Sequence, residues 1–325
     1  MTRNNYSRDD QHYQRPSAYD AKSNSRWIVY CVMGAAAIIV LAVVIGIVIN
    51  IAKPSQEDLA GGDPQLSTAA ADVNGGSVST SQSSNTSSNG SDASALANRD
   101  SEFAVDPNRT DWNYNSNGRK TVYLTIDDGP SALTSHVLDI LDRYNCKATF
   151  FVVGHNQDSF PMIAEAYKRG HTIGLHTYSH DYAEVYSSVD AYFADLEAIG
   201  QVVKEQIGYV PCFIRFPGGS SNGISANYSA GIMTELTQLV QQRGYQYYDW
   251  NLSVGDGSEH TTEEIVGYGT TSPGEENIML LCHDSALKQT TVDALPSIIE
   301  FYQAQGYTFE ALDRNSWVCH HGVNN

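Results

Sequence analysis

Five short strings in this 325-residue chain carry side chains able to do chemistry. Asp127 and Asp128 stand side by side in TIDDGP, and His176 and His180 bracket HTYSH. Arg215 opens RFPGG, Asp249 and Trp250 form an acid–indole pair, and His283 closes LLCH. Adjacent carboxylates offer a proton acceptor or a metal ligand, and imidazoles offer a ligand, a base or an acid near neutral pH.

Each string alone has a plainer explanation. DDGP after a strand is more often a turn with an Asx cap than a catalytic pair. HxxxH is more often two unrelated histidines, RxP is as often a salt bridge and a turn, and LxH by itself says little. On an extended strand His176 and His180 would stand ~13 Å apart, too far to share an ion. Thr177-Tyr178-Ser179 must therefore turn before both imidazoles can meet one metal.

Position changes the odds. Alternating segments predict strands at 121–126, 148–153, 172–175, 212–215, 245–249, 278–282 and 308–312, separated by amphipathic stretches such as SHVLDILDRY and SVDAYFADLEAIGQVVKEQIG. Many of these stretches end in Gly, as helix C-termini do. Seven β/α alternations with apolar strands predict a parallel sheet, open or closed into a barrel. Every one of the five strings falls at the C-terminal end of a predicted strand, the rim where β/α barrels gather their catalytic groups.

Together TIDDGP, HTYSH, RFPGG, DW and LCH resemble the five motifs of the NodB-type polysaccharide deacetylases, carbohydrate esterase family four, over about residues 118–315. The longer strings GHTIGLHTYSHDY and RFPGGSSN are similar to those of Gram-positive membrane-anchored peptidoglycan N-acetylglucosamine deacetylases. The resemblance implies an α/β fold, a distorted (β/α)7 barrel. It implies a divalent ion held by Asp128, His176 and His180, with zinc ranked ahead of cobalt or another first-row metal. It implies Asp127 as general base and His283 as the acid that protonates the leaving amine. Arg215 and Asp249 are implied as their supports, one for each. A backbone N–H after Pro217, at Gly218, would meet the oxyanion, and Leu281 and Trp250 would line the pocket for the acetyl methyl and the sugar.

Two departures stand out. Gly218 occupies a place where the family usually has an aromatic, which implies a missing pocket wall. Gln246 replaces the first acid of the family's DxxDW. The implied reaction is removal of N-acetyl groups from a cell-wall polysaccharide, N-acetylglucosamine of peptidoglycan first. N-acetylmuramic acid, chitin-like or poly-N-acetylglucosamine and acetylxylan are the alternatives. An inert carbohydrate-binding barrel is the reading from another class, and it has no use for both Asp127 and His283.

Composition frames the rest of the chain. Formal net charge is −18, from 37 acidic and 19 basic residues, a balance that repels nucleic acid. No protein partner is inferred. The run from Ile28 to Ile49 has 22 residues without a charge, roughly 33 Å of helix, enough to cross a bilayer core of about 30 Å. Five basic residues precede it, so the positive-inside rule places the N-terminus in the cytosol and everything after Lys53 outside. The Ser/Thr/Asn/Gly-rich stretch that follows lacks the apolar content to offset ordering entropy. The expected organisation is a cytoplasmic tail (1–26), a transmembrane helix (27–52), a disordered stalk (53–116) and a catalytic domain (117–325). Cys146, Cys212, Cys282 and Cys319 allow three full disulfide pairings. Strand alternation turns Cys212 and Cys282 toward the outer helices on separated strands, so these two are not expected to bond to each other.

Overall fold

Apolar runs long enough for a buried strand alternate with amphipathic helices, and that order dictates parallel pairing with the helices packed outside. The computed structural model describes residues 99–325 apart from 101, 117, 272 and 273. The strands are β1 (Thr121–Asp127), β2 (Ala148–Val152), β3 (Thr172–Leu175), β4 (Phe213–Ile214), β5 (Gln246–Tyr247), β6 (Leu252–Ser253), β7 (Asn277–His283) and β8 (Thr308–Phe309). The helices are α1 (Thr134–Arg143), α2 (Pro161–Lys168), α3 (Tyr182–Val185), α4 (Val189–Ile207), α5 (Ile232–Gln242), α6 (Thr262–Gly269) and α7 (Gln289–Ala304).

The sheet runs in the order β5-β4-β3-β2-β1-β7-β6, with β8 paired to the start of β1. All seven residues of β1 are buried, as a strand covered on both faces requires. Its longest partner is β7, in register from Thr121 opposite Asn277 to Asp127 opposite His283. That register brings an aspartate and a histidine side by side at the rim. Helix α4 is held at both ends, by the Ser188 hydroxyl accepting from Ala191 N–H and by Gly208 in the left-handed conformation after its last turn.

The structure adds an eighth strand to the seven expected, the two-residue β6, and the strand expected over 245–249 shrinks to two residues. The reason lies in where the chain goes next. Tyr248 N–H still bonds Ile214 C=O beside β4, but Asn251 N–H already bonds Met279 C=O on β7. Residues 248–251 thus step across from one edge of the curled sheet to the other, and no β5–β6 ladder closes it. The result is a curled half-barrel of parallel strands, not a continuous (β/α)7 cylinder.

Residues 99–116 also differ from the stalk expected there. Phe103 is buried, its C=O accepts from Cys212 N–H at 2.7 Å, and Val105 N–H bonds Val210 C=O at 2.9 Å. The apolar triplet Phe103-Ala104-Val105 explains this docking, since Phe103 packs edge-on against Phe213. The expected tail and membrane helix lie outside the described residues. Among the described residues no helix is long and apolar enough to cross a membrane.

All four cysteines of the described residues are buried and free. Cys212 precedes β4, which pairs with β3 and β5, whereas Cys282 lies on β7, which pairs with β1 and β6. At the open side β5 and β6 lie between them, so the two are kept apart as expected. Native protein should therefore resist iodoacetamide at these four positions, and unfolding without reductant should expose all four to alkylation in peptide mapping. A disulfide among them would contradict the structure.

Candidate active site

The Asp127-Asp128 pair is split by backbone geometry. Strand β1 ends at Asp127, and Asp128 takes a φ of 71°, a left-handed conformation that non-glycine residues adopt at a cost. The turn is pinned from below by Asp284. Its N–H bonds Asp127 C=O at 2.8 Å, while its buried carboxylate accepts from the hydroxyls of Thr134, at 2.5 Å, and Ser131.

The turn demanded of HTYSH is present. Thr177 and His180 have φ values of 66° and 50°, so the chain coils directly after β3. Asp195, on α4, stabilises this coil by accepting from the backbone N–H groups of Tyr178 and Ser179. Both imidazoles then reach Asp128, whose Oδ1 stands 3.7 Å from His176 Nε2 and 3.5 Å from His180 Nε2.

These three residues have their ligand atoms within 4.8 Å of one another. Donors around a tetrahedral ion with bonds of about 2.0–2.1 Å stand roughly 3.4 Å apart, so the spacing fits a divalent metal. Asp128 Oδ1 is buried without a hydrogen-bond partner, as a carboxylate oxygen kept for an ion would be. His176 Nδ1 lies 2.8 Å from Arg215 C=O, an acceptor only, so Nδ1 carries the proton and the Nε2 lone pair faces the cluster. Burial, with the charge of His180 adding to it, lowers the His176 pKa to about 3 and keeps it the neutral ligand form. The cluster opens onto a cleft of about 370 Å³ lined by Asp128, Ser131, His155, Asn156, His180 and Ser285.

Asp127 is held by Arg215 on one side and borders the cluster on the other. Its Oδ1 accepts from Arg215 Nη1 at 2.8 Å, and its Oδ2 lies 3.6 Å from His176 Nε2. Burial raises the Asp127 pKa, against the opposing charges of Arg215 and His283. Arg215 is wholly buried and also bonds Thr125 Oγ1 and the carbonyls of Tyr248 and Asp249.

Asp249 requires a correction. Its carboxylate accepts from Ser220 N–H and hydroxyl and from His321 N–H, bracing the 216–221 loop against the C-terminal segment. The carboxylate beside His283 belongs to Asp256. Its Oδ1 lies 2.8 Å from His283 Nδ1 and its Oδ2 accepts from His283 N–H at 2.8 Å, with Thr291 Oγ1 adding a third bond. Burial alone would lower the His283 pKa, but the hydrogen bond and charge of Asp256, with Asp127 and Asp128 beyond, raise it. Asp256 lies three residues past the end of β6, so a strand-end signal was there, hidden by the brevity of that strand.

The remaining expected residues line the same rim. Leu281 lies two residues before His283 on β7, opposite Thr125, and therefore shares its face. Pro217 C=O accepts from Tyr186 Oη at 2.7 Å. Gly218 has a φ of 74°, and a Cβ there would stand 2.3 Å from Tyr182 Oη. A Cβ on Gly219 would stand 3.0 Å from the Trp250 ring. Tyr182, the first residue of α3, thus fills the space beside Gly218.

A parallel half-barrel whose rim joins an Asp-His-His cluster to a paired carboxylate and a paired histidine defines a metal-dependent hydrolase. Residues 114–237 match the family of polysaccharide deacetylases. The putative polysaccharide deacetylase YheN of Bacillus subtilis is 30% identical over 204 residues, 60% of this chain and 68% of that protein. A peptidoglycan-N-acetylglucosamine deacetylase of Bacillus cereus is 28% identical over 210 residues, 62% of this chain and 73% of that protein. Among solved structures, the catalytic domain of a peptidoglycan N-acetylglucosamine deacetylase from Eubacterium rectale is 44% identical, with a TM-score of 0.64 over 68% of this chain and 100% of that one. This chain belongs to the polysaccharide deacetylase family, and it is an enzyme of that class.

The His283–Asp256 pair yields a pH prediction. If protonated His283 is the working form, activity falls as pH rises through its raised pKa. Asp256→Asn removes the charge that raises it, so the alkaline limb of the kcat/KM profile should move to lower pH. An unmoved limb would separate Asp256 from the ionisation of His283.

Proposed function

We propose that this chain hydrolyses the N-acetyl group of N-acetylglucosamine in peptidoglycan, using a zinc ion held by Asp128, His176 and His180. The observation that carries the reaction is the placement of Asp127 and His283. They are register partners at the rim, beside the candidate metal cluster, and each is locked to its own buried partner of opposite charge. The polymer is suggested by the Eubacterium rectale relative, whose whole catalytic domain this chain covers.

The bound ion would lower the pKa of a water so that a nucleophile forms at neutral pH. Asp127 takes the water's proton through its unpaired Oδ2, while Arg215 holds Oδ1 and keeps this carboxylate from the ligand set. A carboxylate whose pKa is raised by burial is a stronger base for that step. Protonated His283 donates to the amine nitrogen as the C–N bond breaks, and Asp256 stabilises its imidazolium. Gly218 N–H, which has no acceptor among the described residues, is free to donate to the developing oxyanion. Acetate and a free amine leave, and the proton on Asp127 returns to solvent.

The apolar run over 28–49 and its basic flank support a tether with the catalytic domain outside the membrane. The polar stretch over 54–98, about 45 residues, would reach roughly 37 Å as a coil, within range of wall glycan. An acidic surface tolerates a product that gains amines.

Mutation separates the two carboxylates. Asp128→Asn should weaken zinc binding as well as turnover, whereas Asp127→Asn should keep zinc and lose about 10²–10⁴-fold in kcat. Elemental analysis alongside acetate release checks both, and near-normal turnover of Asp127→Asn would overturn its role. In cells, deleting the gene should raise the acetylated fraction of muropeptides and the sensitivity to lysozyme. Unchanged wall glucosamine, with rapid acetate release from chitin oligomers or acetylxylan in vitro, would move the assignment to that polymer.

A further inference from the structure

Gly218 and Tyr182 are shaped to each other. Tyr182 opens α3 two residues after His180, and the Asp181 carboxylate fixes that start by accepting from Ala183 N–H at 2.8 Å. Its ring packs against His180 with centroids 5.9 Å apart and against Tyr186 at 5.5 Å. Tyr186 in turn anchors the 216–221 loop through Pro217 C=O. The phenol is therefore braced on both sides and aimed at the backbone of Gly218.

Two donors near this contact have no acceptor. Neither Tyr182 Oη nor Gly218 N–H has a hydrogen-bond partner among the described residues, although Tyr182 is half-buried. Tyr182 Oη is not among the buried atoms that lack a partner, so the hydroxyl is open to solvent and to a substrate oxygen. The Tyr182 ring packs against the ligand His180, next to the place where an acetyl carbonyl would meet an attacking water, and its hydroxyl reaches the backbone of Gly218. A side chain at 218 would displace the hydroxyl and would also be strained at a φ of 74°.

We propose that the Tyr182 hydroxyl is a catalytic residue of this enzyme. With Gly218 N–H it donates a hydrogen bond to the acetyl oxygen as the carbonyl carbon becomes tetrahedral, and its ring is the pocket wall that Gly218 cannot provide. The inference rests on acetyl hydrolysis at this rim and not on which polymer carries the acetyl group.

Tyr182→Phe keeps the ring and removes only the donor. On the full-length zinc-loaded protein with an N-acetylglucosamine trimer, kcat should fall about 10- to 100-fold, less than for a sole oxyanion donor because Gly218 N–H remains. KM, zinc content and thermal midpoint should stay as in the wild type. Calorimetry supplies a second reading. Affinity for a methylphosphonamidate analogue, whose tetrahedral phosphorus carries the oxyanion, should drop in step with kcat. Affinity for the intact trimer in an Asp127→Asn background should not change. Wild-type kcat and analogue affinity in Tyr182→Phe would overturn the proposal, as would a rise in KM alone, which would make the hydroxyl a ground-state contact. A wild-type protein that releases no acetate from the trimer would count against the N-acetylglucosamine reading instead, and the analogue comparison would still decide the role of Tyr182.

Discussion

The buried ion pair between Arg215 and Asp127 is the constraint on which the rest of the site depends. Arg215 is the largest fully buried side chain among the described residues, and its guanidinium donates to β1 through Thr125 and Asp127 and to the β5 exit through Tyr248 and Asp249. Its own carbonyl fixes the tautomer of His176. One residue therefore ties three of the chemistry-bearing strings together. Removing one partner of such a pair typically costs 3–5 kcal/mol, because the other charge is left buried and unpaired. Lysine, a point charge on a flexible stem, cannot reproduce a planar fork bonded at this many places.

From this pair follows a division of labour among residues of the same type. Asp127 and Asp128 are neighbours, yet one is sealed against a guanidinium and the other keeps an unpartnered oxygen toward two imidazoles. The histidines divide in the same way. His176 is kept neutral by burial and by bonding a carbonyl, whereas Asp256 shifts His283 toward its protonated form. Environments that push like groups apart are how a single pocket holds both an acid and a base.

Much of this was legible in the sequence, and the exceptions have physical causes. The strands carrying Asp127 and His283 are buried, mostly apolar and seven residues long, so their ends, and the residues placed there, were plain. The coil between His176 and His180 was required by distance alone. Asp256 was not found because β6 has only two residues, which is too short for a periodic signal, and the nearby Asp249-Trp250 took its place. Asp249 instead braces a loop through Ser220 and His321, contacts that join distant parts of the chain and leave no local pattern. Tyr182 was missed for the same reason. Gly218 shows in sequence as a lost wall, and only the fold brings Tyr182 to it from the start of α3.

The separation of the two adjacent carboxylates is tested most directly by an anomalous-diffraction crystal structure of the zinc-loaded protein. The account predicts zinc bonded to one oxygen of Asp128 and to Nε2 of both His176 and His180 at about 2.0–2.2 Å, with Asp127 Oδ1 still on Arg215. Zinc bonded to Asp127, or Arg215 turned away from it, would contradict the account.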